Sequence, residues 1–232
     1  MAVYFKKSGN TTYLAGHQVD YTWEVFDRDI WPSPTESQTI VIQEPFSIVN
    51  YEGSGLFMGC ANTTIEHLDW IDTSQALGFD DMFSNCQVTT LDLSSWDTSK
   101  VIRMPNMFNS CNYLTSVNLS GWNVSSLENC SNMFYECQAL TEIITEENVD
   151  WETEARNLYS HDGMFSYCYR LPYYSYYNIT DIRGANTKRY FKGVWNWSSK
   201  AYTPYEKVDG YWKEISVYVK DSNSWFTTEV YK

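Results

Sequence analysis

Histidine, cysteine and clustered acids are the residues in this 232-residue chain that could carry chemistry. His17, His67 and His161 stand apart, with no His-Glu-x-x-His and no pair at metal-ligand spacing. Cys168 follows His161 closely. A Cys–His nucleophile would need the imidazole within hydrogen-bond reach and a lowered thiol pKa. No Cys-x-x-Cys pair occurs, so the usual zinc spacing is missing. Glu146, Glu147, Asp150, Glu152 and Glu154 could serve a glycosidase pair or a Ca²⁺ ion. They lack EF-hand spacing, and charge runs are ordinarily solvated loops. No glycine-rich phosphate loop is present. The expectation is a non-enzymatic chain with no catalytic residue, no cofactor and no metal.

The cysteines have another explanation, because they mark a repeat. Phe57, Phe83, Phe108, Phe134 and Phe165 follow one another at 26, 25, 26 and 31 residues, each with a Cys three places on: Cys60, Cys86, Cys111, Cys137 and Cys168. Tyr190-Phe191-Lys192-Gly193-Val194 reads as a degenerate sixth unit. Trp96 and Trp122 each precede the next Met-Phe by 11 residues, and Ile71 and Ile179 hold the same phase. One such unit cannot bury its apolar face alone, whereas stacked units share a continuous core. Leu91 and Leu93, and Val117 and Leu119, alternate with polar Asp92 and Asn118, which predicts short strands near 90–94, 116–120 and 140–144. Apolar residues at 101, 104, 107, 108 and 111 predict a short helix or 3₁₀ turns in each coil.

In this frame the five Phe and five Cys line the interior. The thiols form an inward ladder in which free Cys acts as a small hydrophobe, so they are expected reduced. A bridge such as Cys130 with Cys137 is the alternative.

The motifs Met-Phe-x-x-Cys, Leu-Asp-Leu-Ser and Trp-Asp-Thr-Ser resemble the BspA-type leucine-rich repeat. That family is abundant in bacterial surface proteins and mycoplasma lipoproteins and also occurs in phage proteins. The likeness is specific over 82–137, good over 56–81 and degraded over 138–191. It implies a β-rich solenoid with a short strand and a short helix per coil. Cys130 replaces the Met of its unit, and residues 145–158 carry an acidic insertion.

Three segments are expected. Residues 1–55 form an N-terminal β cap or anchor, with a hairpin around Lys-Lys-Ser-Gly-Asn and strands near 21–26 and 38–43. Residues 56–191 form the solenoid. Residues 192–232 form an aromatic β-meander, in which Trp212 and Trp225 each follow a turn signal. Its Val-Asp-Gly-Tyr-Trp-Lys-Glu and Tyr-Val-Lys elements are similar to the ends of phage structural and tail proteins.

The formal charge of −13 gives no basic footprint for nucleic acid and disfavours anionic membranes. The chain has no run of 18 apolar residues. Residues 1–9 hold no apolar stretch behind a basic start. If Met1 is the natural start, export by the common route is not expected, and sequons such as Asn118 and Asn123 carry little weight. Nineteen Tyr and ten Trp suit either strand packing or recognition surfaces. Tyr173, Tyr174, Tyr176 and Tyr177 are the candidate binding surface.

The leading functional expectation is a phage virion component: a tail, fibre or head-decoration subunit within a larger assembly. Its partners would be neighbouring subunits or a host receptor or glycan. A bacterial cell-surface adhesin whose leader is absent is the alternative, and a glycan-active enzyme is a third.

Overall fold

The computed structural model describes residues 3–17, 24–25, 39–61, 64–145, 155, 157–160, 162–171 and 191–193, with four short strands between 205 and 227. The chain divides into two compact units, Met1–Val194 and Trp195–Lys232.

The first unit is a β-solenoid of about four turns with almost no helix. Its strands are β1 (Tyr4–Ser8), β2 (Thr11–Ala15), β3 (Glu24–Val25), β4 (Thr39–Ile42), β5 (Phe46–Asn50), β6 (Thr64–Glu66), β7 (Ile71–Ala76), β8 (Thr90–Asp92), β9 (Ser116–Asn118), β10 (Glu142–Thr145) and β11 (Phe191–Gly193). β8, β9 and β10 are parallel and in register, Leu91 beside Val117 and Val117 beside Ile143. These residues point inward, while Thr90 and Asp92 stay exposed. The polar side chains bond along the stack instead. Asn118 Nδ2 donates to Asp92 Oδ1 at 3.1 Å, and the Thr115 and Thr141 hydroxyls donate to the carbonyls of Thr89 and Thr115.

The opposite side of each coil is a run of tight turns, and it corrects the expectation of a helix. Alternate amides go to different places. Phe79, Asp81, Phe83 and Asn85 donate to the carbonyls of Arg103, Pro105, Met107 and Asn109 on the next coil. Between them Met82, Ser84 and Cys86 donate three residues back, to Phe79, Asp81 and Phe83. An α-helix directs every amide along its own axis, so a backbone that sends half of them sideways cannot be one. Two left-handed residues per coil set this geometry, two places before and two places after each Phe. The first series is Gly55, Asp81, Asn106, Asn132 and Gly163, and the second is Gly59, Asn85, Ser110, Glu136 and Tyr167, all with φ between 54° and 73°. Gly, Asn and Asp tolerate that conformation best, and they fill seven of the ten places.

The parallel pairing begins earlier than the Phe-x-x-Cys motif marks it. β4 pairs with β6 and β5 with β7, at offsets of 25 to 26 residues. Residues 39–50 therefore form a rung of their own ahead of the first motif. β1 and β2 make an antiparallel hairpin around Gly9-Asn10, β3 pairs with β1, and β2 runs parallel to β4. Leu14, Ile40 and Ile42 are fully buried and share one core with Phe57 and Phe79. The hairpin thus contributes Leu14 to the apolar interior of the first coils.

At the other end Phe191 is not the aromatic marker of a sixth unit. It lies in β11, which continues the sheet beside β10 with Phe191 opposite Ile143.

The second unit contains β12 (Tyr205–Val208), β13 (Tyr211–Glu214), β14 (Tyr218–Asp221) and β15 (Ser224–Thr227). β12 pairs with β13 and β14 with β15, both antiparallel. Each pair is joined by two residues, Asp209-Gly210 and Ser222-Asn223, the loop length and chemistry of tight hairpins. Among the described residues β13 and β14 are not paired, so the expected meander is seen here as two hairpins.

Candidate binding surface

The interior is built from two ladders. The rings of Phe57, Phe83, Phe108, Phe134 and Phe165 stack with centroids 5.1, 5.6, 5.0 and 5.7 Å apart and planes within 11° of parallel. Each ring lies one coil from the next, so coil spacing itself sets the stacking distance. All five are buried, as are Cys60, Cys86, Cys111, Cys137 and Cys168. The thiols of Cys111, Cys137 and Cys168 donate to the carbonyls of Phe83, Phe108 and Phe134 at 2.9, 3.0 and 2.9 Å. Trp96 and Trp122 repeat the device at the strand side, their indole N–H groups donating to Leu68 and Leu93 carbonyls at 3.0 and 2.9 Å.

Two of the ladder cysteines are not reduced thiols. Cys60 and Cys86 form a disulfide, with Cα atoms 4.7 Å apart. Adjacent coils of a parallel stack are about 4.8 Å apart, inside the range that a disulfide spans. Equivalent Cys on neighbouring coils are therefore pre-positioned for oxidation, which a reading of the ladder as purely apolar overlooks. Cys130 and Cys137, the alternative pair, are both free. Burial pushes the Cys111 and Cys168 thiols up to about 12 and raises those of Cys130 and Cys137 strongly. A thiol held this way is a poor nucleophile, and Cys168 lies buried in the wall of the interior. His161 and the acids at 146–154 lie outside the described residues. Among the described residues no group of three or more His, Cys, Asp or Glu could hold a metal ion, and no helix is long and apolar enough to cross a membrane.

The surface carries aromatics on this rigid frame. Tyr173, Tyr174, Tyr176 and Tyr177 lie outside the described residues. A cluster the sequence reading did not single out stands just before them. Tyr135 and Tyr167 meet edge to face at 5.2 Å, and Tyr167 meets Tyr169 at 6.0 Å. Tyr135 and Tyr167 occupy neighbouring coils of the turn face, and Tyr169 is 54% exposed. The available signal was the replacement of Ser, Asn and Gln by Tyr at the equivalent places of the last coils. Tyr113 and Tyr159 are also exposed.

A second group lies at the corner where Gly78, Arg103, Asn129 and Ser160 are joined by parallel bridges. Arg103 Nε donates to Asp80 Oδ1 at 2.9 Å, and the guanidinium carbon is 6.0 Å from the Tyr51 ring centre. The Asp80 carboxylate holds the Arg103 pKa above its ordinary value.

A third feature is a break in the strand face. β6 belongs to the N-terminal sheet and β8 begins the next one, so these two strands do not pair. The gap is a cleft of about 280 Å³ lined by Ile65, His67, Asp69, Leu91 and Asp92 among others. His67 is left-handed and stacks on half-exposed Trp70 at 4.4 Å.

Stacked parallel coils, an aromatic and thiol interior and a polar outer ladder define a repeat solenoid. Residues 52–172 match the family described as Mycoplasma protein of unknown function, DUF285. That span is more than half of the 232 residues, and the chain belongs to this family. It coincides with the repeats that resemble the BspA type. No curated protein and no solved structure matches the chain.

Proposed function

We propose that this protein is a non-catalytic recognition scaffold, a stack of coils that presents exposed aromatic side chains to a partner. The observation that carries this is the Tyr135, Tyr167 and Tyr169 cluster, with one member 54% exposed, on a backbone bonded to the neighbouring coil at every second amide. Tyrosine gives large contact area at low entropic cost, and a rigid frame lowers that cost further. A buried role would have put these rings in the Phe ladder. The partner is a protein or glycan on another surface, and the chain works within a larger assembly.

The placement we favour is a phage virion, as a tail, fibre or head-decoration subunit. The phage-like Val-Asp-Gly-Tyr-Trp-Lys-Glu element, which spans the first hairpin of the second unit, supports it. A bacterial cell surface is the second reading. The family description names mycoplasma, and the Cys60–Cys86 bridge suits an oxidising location. Mass spectrometry of purified virions and of protease-shaved cells separates the two. Recovery only from the soluble cytosolic fraction would remove both.

A further inference from the structure

Tyr51 is an exposed residue whose ring packs close to Gly78 on the neighbouring coil. A Cβ placed on Gly78 would come within 2.7 Å of Tyr51 Cδ1, 3.1 Å of its Cε1 and 3.1 Å of Arg103 Cγ. Glycine at 78 is what leaves room for the ring against the neighbouring coil, with the Arg103 stem beside it. The residue remains 42% exposed, so part of it meets water. Arg103 borders this ring, and its bond to Asp80 fixes the guanidinium plane. That bond uses Nε and one carboxylate oxygen. The terminal guanidinium nitrogens and the second Asp80 oxygen are not used by it, on side chains 47% and 18% exposed, with the guanidinium carbon 6.0 Å from the ring centre.

An exposed aromatic ring with a fixed donor and a fixed acceptor near it matches one ligand chemistry closely. A pyranose presents C–H groups on its face and alternating donor and acceptor hydroxyls around its edge. We propose that Tyr51, Arg103 and Asp80 form a saccharide site, with a neutral sugar ring on Tyr51 and two vicinal hydroxyls shared between the Arg103 terminal nitrogens and Asp80 Oδ2. The inference rests on the recognition reading and names its ligand class. Asp80 neutralises the arginine locally and the chain carries −13 overall, so an acidic sugar gains no net attraction here. Ser160 stands two rungs beyond Arg103, about 10 Å along the stack, and its neighbour Tyr159 is 70% exposed. A longer saccharide running parallel to the solenoid axis reaches it.

The test uses the full chain on an array of neutral and acidic glycans, with hits titrated by calorimetry. At least one neutral glycan should bind. Tyr51→Ala and Arg103→Ala should each weaken it about tenfold, the loss expected of a central aromatic or arginine anchor. Tyr113→Ala, an exposed tyrosine outside the site, should leave the affinity unchanged. Melting curves of the variants exclude unfolding as the cause. A neutral glycan bound with an affinity indifferent to Tyr51→Ala and Arg103→Ala overturns the site but leaves the recognition reading standing. Absence of any neutral hit at millimolar concentration overturns the ligand class. So does binding restricted to acidic glycans, or to a protein partner that Arg103→Ala releases.

Discussion

Truncating the middle ring of the ladder, Phe108→Ala, puts the shared interior to a direct thermodynamic test. Phe108 is fully buried, between Phe83 at 5.6 Å and Phe134 at 5.0 Å. The gap cannot close easily. The Phe108 N–H donates to the Met133 carbonyl at 2.8 Å, and the Cys137 thiol donates to the Phe108 carbonyl at 3.0 Å, so the backbone on both sides is held. A buried Phe→Ala change costs about 3–5 kcal/mol, more where the site cannot collapse. Two stacked contacts disappear as well, each of about 0.5–1.5 kcal/mol beyond area, which points to the upper half of that range. At about 2–4 °C per kcal/mol for a unit of this size, the melting temperature should fall by roughly 8–20 °C. Thermal and urea unfolding followed by tryptophan fluorescence reads this, since Trp96 packs 6.0 Å from Phe83. Phe108→Leu should lose about half as much. A midpoint within about 2 °C of the parent would refute a buried ring.

Other perturbations test the turns and the thiols. Glu136 holds φ 58° without the freedom of glycine, so Glu136→Gly should stabilise by about 1 kcal/mol in urea melts. Asp81 is raised in pKa by burial first and by Asp80 second. It therefore holds its proton more tightly folded than unfolded, and stability falls as pH rises from the unfolded pKa through the folded one. Asp81→Asn, the residue found at the same place in Asn106 and Asn132, should raise the melting temperature at pH 7. The gain should be roughly a few tenths of a kcal/mol after solvent screening and should vanish in acid. Intact-mass alkylation of the denatured chain should label four thiols without reductant and six with it, and the native chain should label none. Six labelled thiols without reductant would remove the bridge.

The phase of the coils was readable because it depends on side-chain type alone. Phe every 25 to 31 residues with Cys three places on can only be satisfied by stacking, and Leu91, Val117 and Ile143 fall at the inward strand positions. The turn face was not readable from apolar spacing. Turns closed by bonds three residues back repeat at nearly the helical period, so Val101, Met104, Met107, Phe108 and Cys111 look the same in either. The discriminating signal was Gly, Asp or Asn two places before every Phe, which a helix interior would not favour. The rung at 39–50 was hidden because it supplies strands but no Phe-x-x-Cys motif, its one Phe, Phe46, lying in a strand. Phe191 misled for the opposite reason, carrying the right spacing into a strand. Equivalent cysteines gave no hint of which pair is joined, because sequence makes all neighbours in the ladder alike. The proposed Tyr51 site was invisible, since it depends on Gly78 and Arg103 being brought beside one ring from 27 and 52 residues away.

The amides that alternate between a local turn and the next coil give the chain a mechanical grain. Pulled from its ends, the stack should peel one coil at a time, because each coil is held mainly by its immediate neighbours. Each release would lengthen the chain by roughly 90 Å for about 26 residues, a regular sawtooth under force. The link between Cys60 and Cys86 would withhold the first of those steps from the record until a reductant is added.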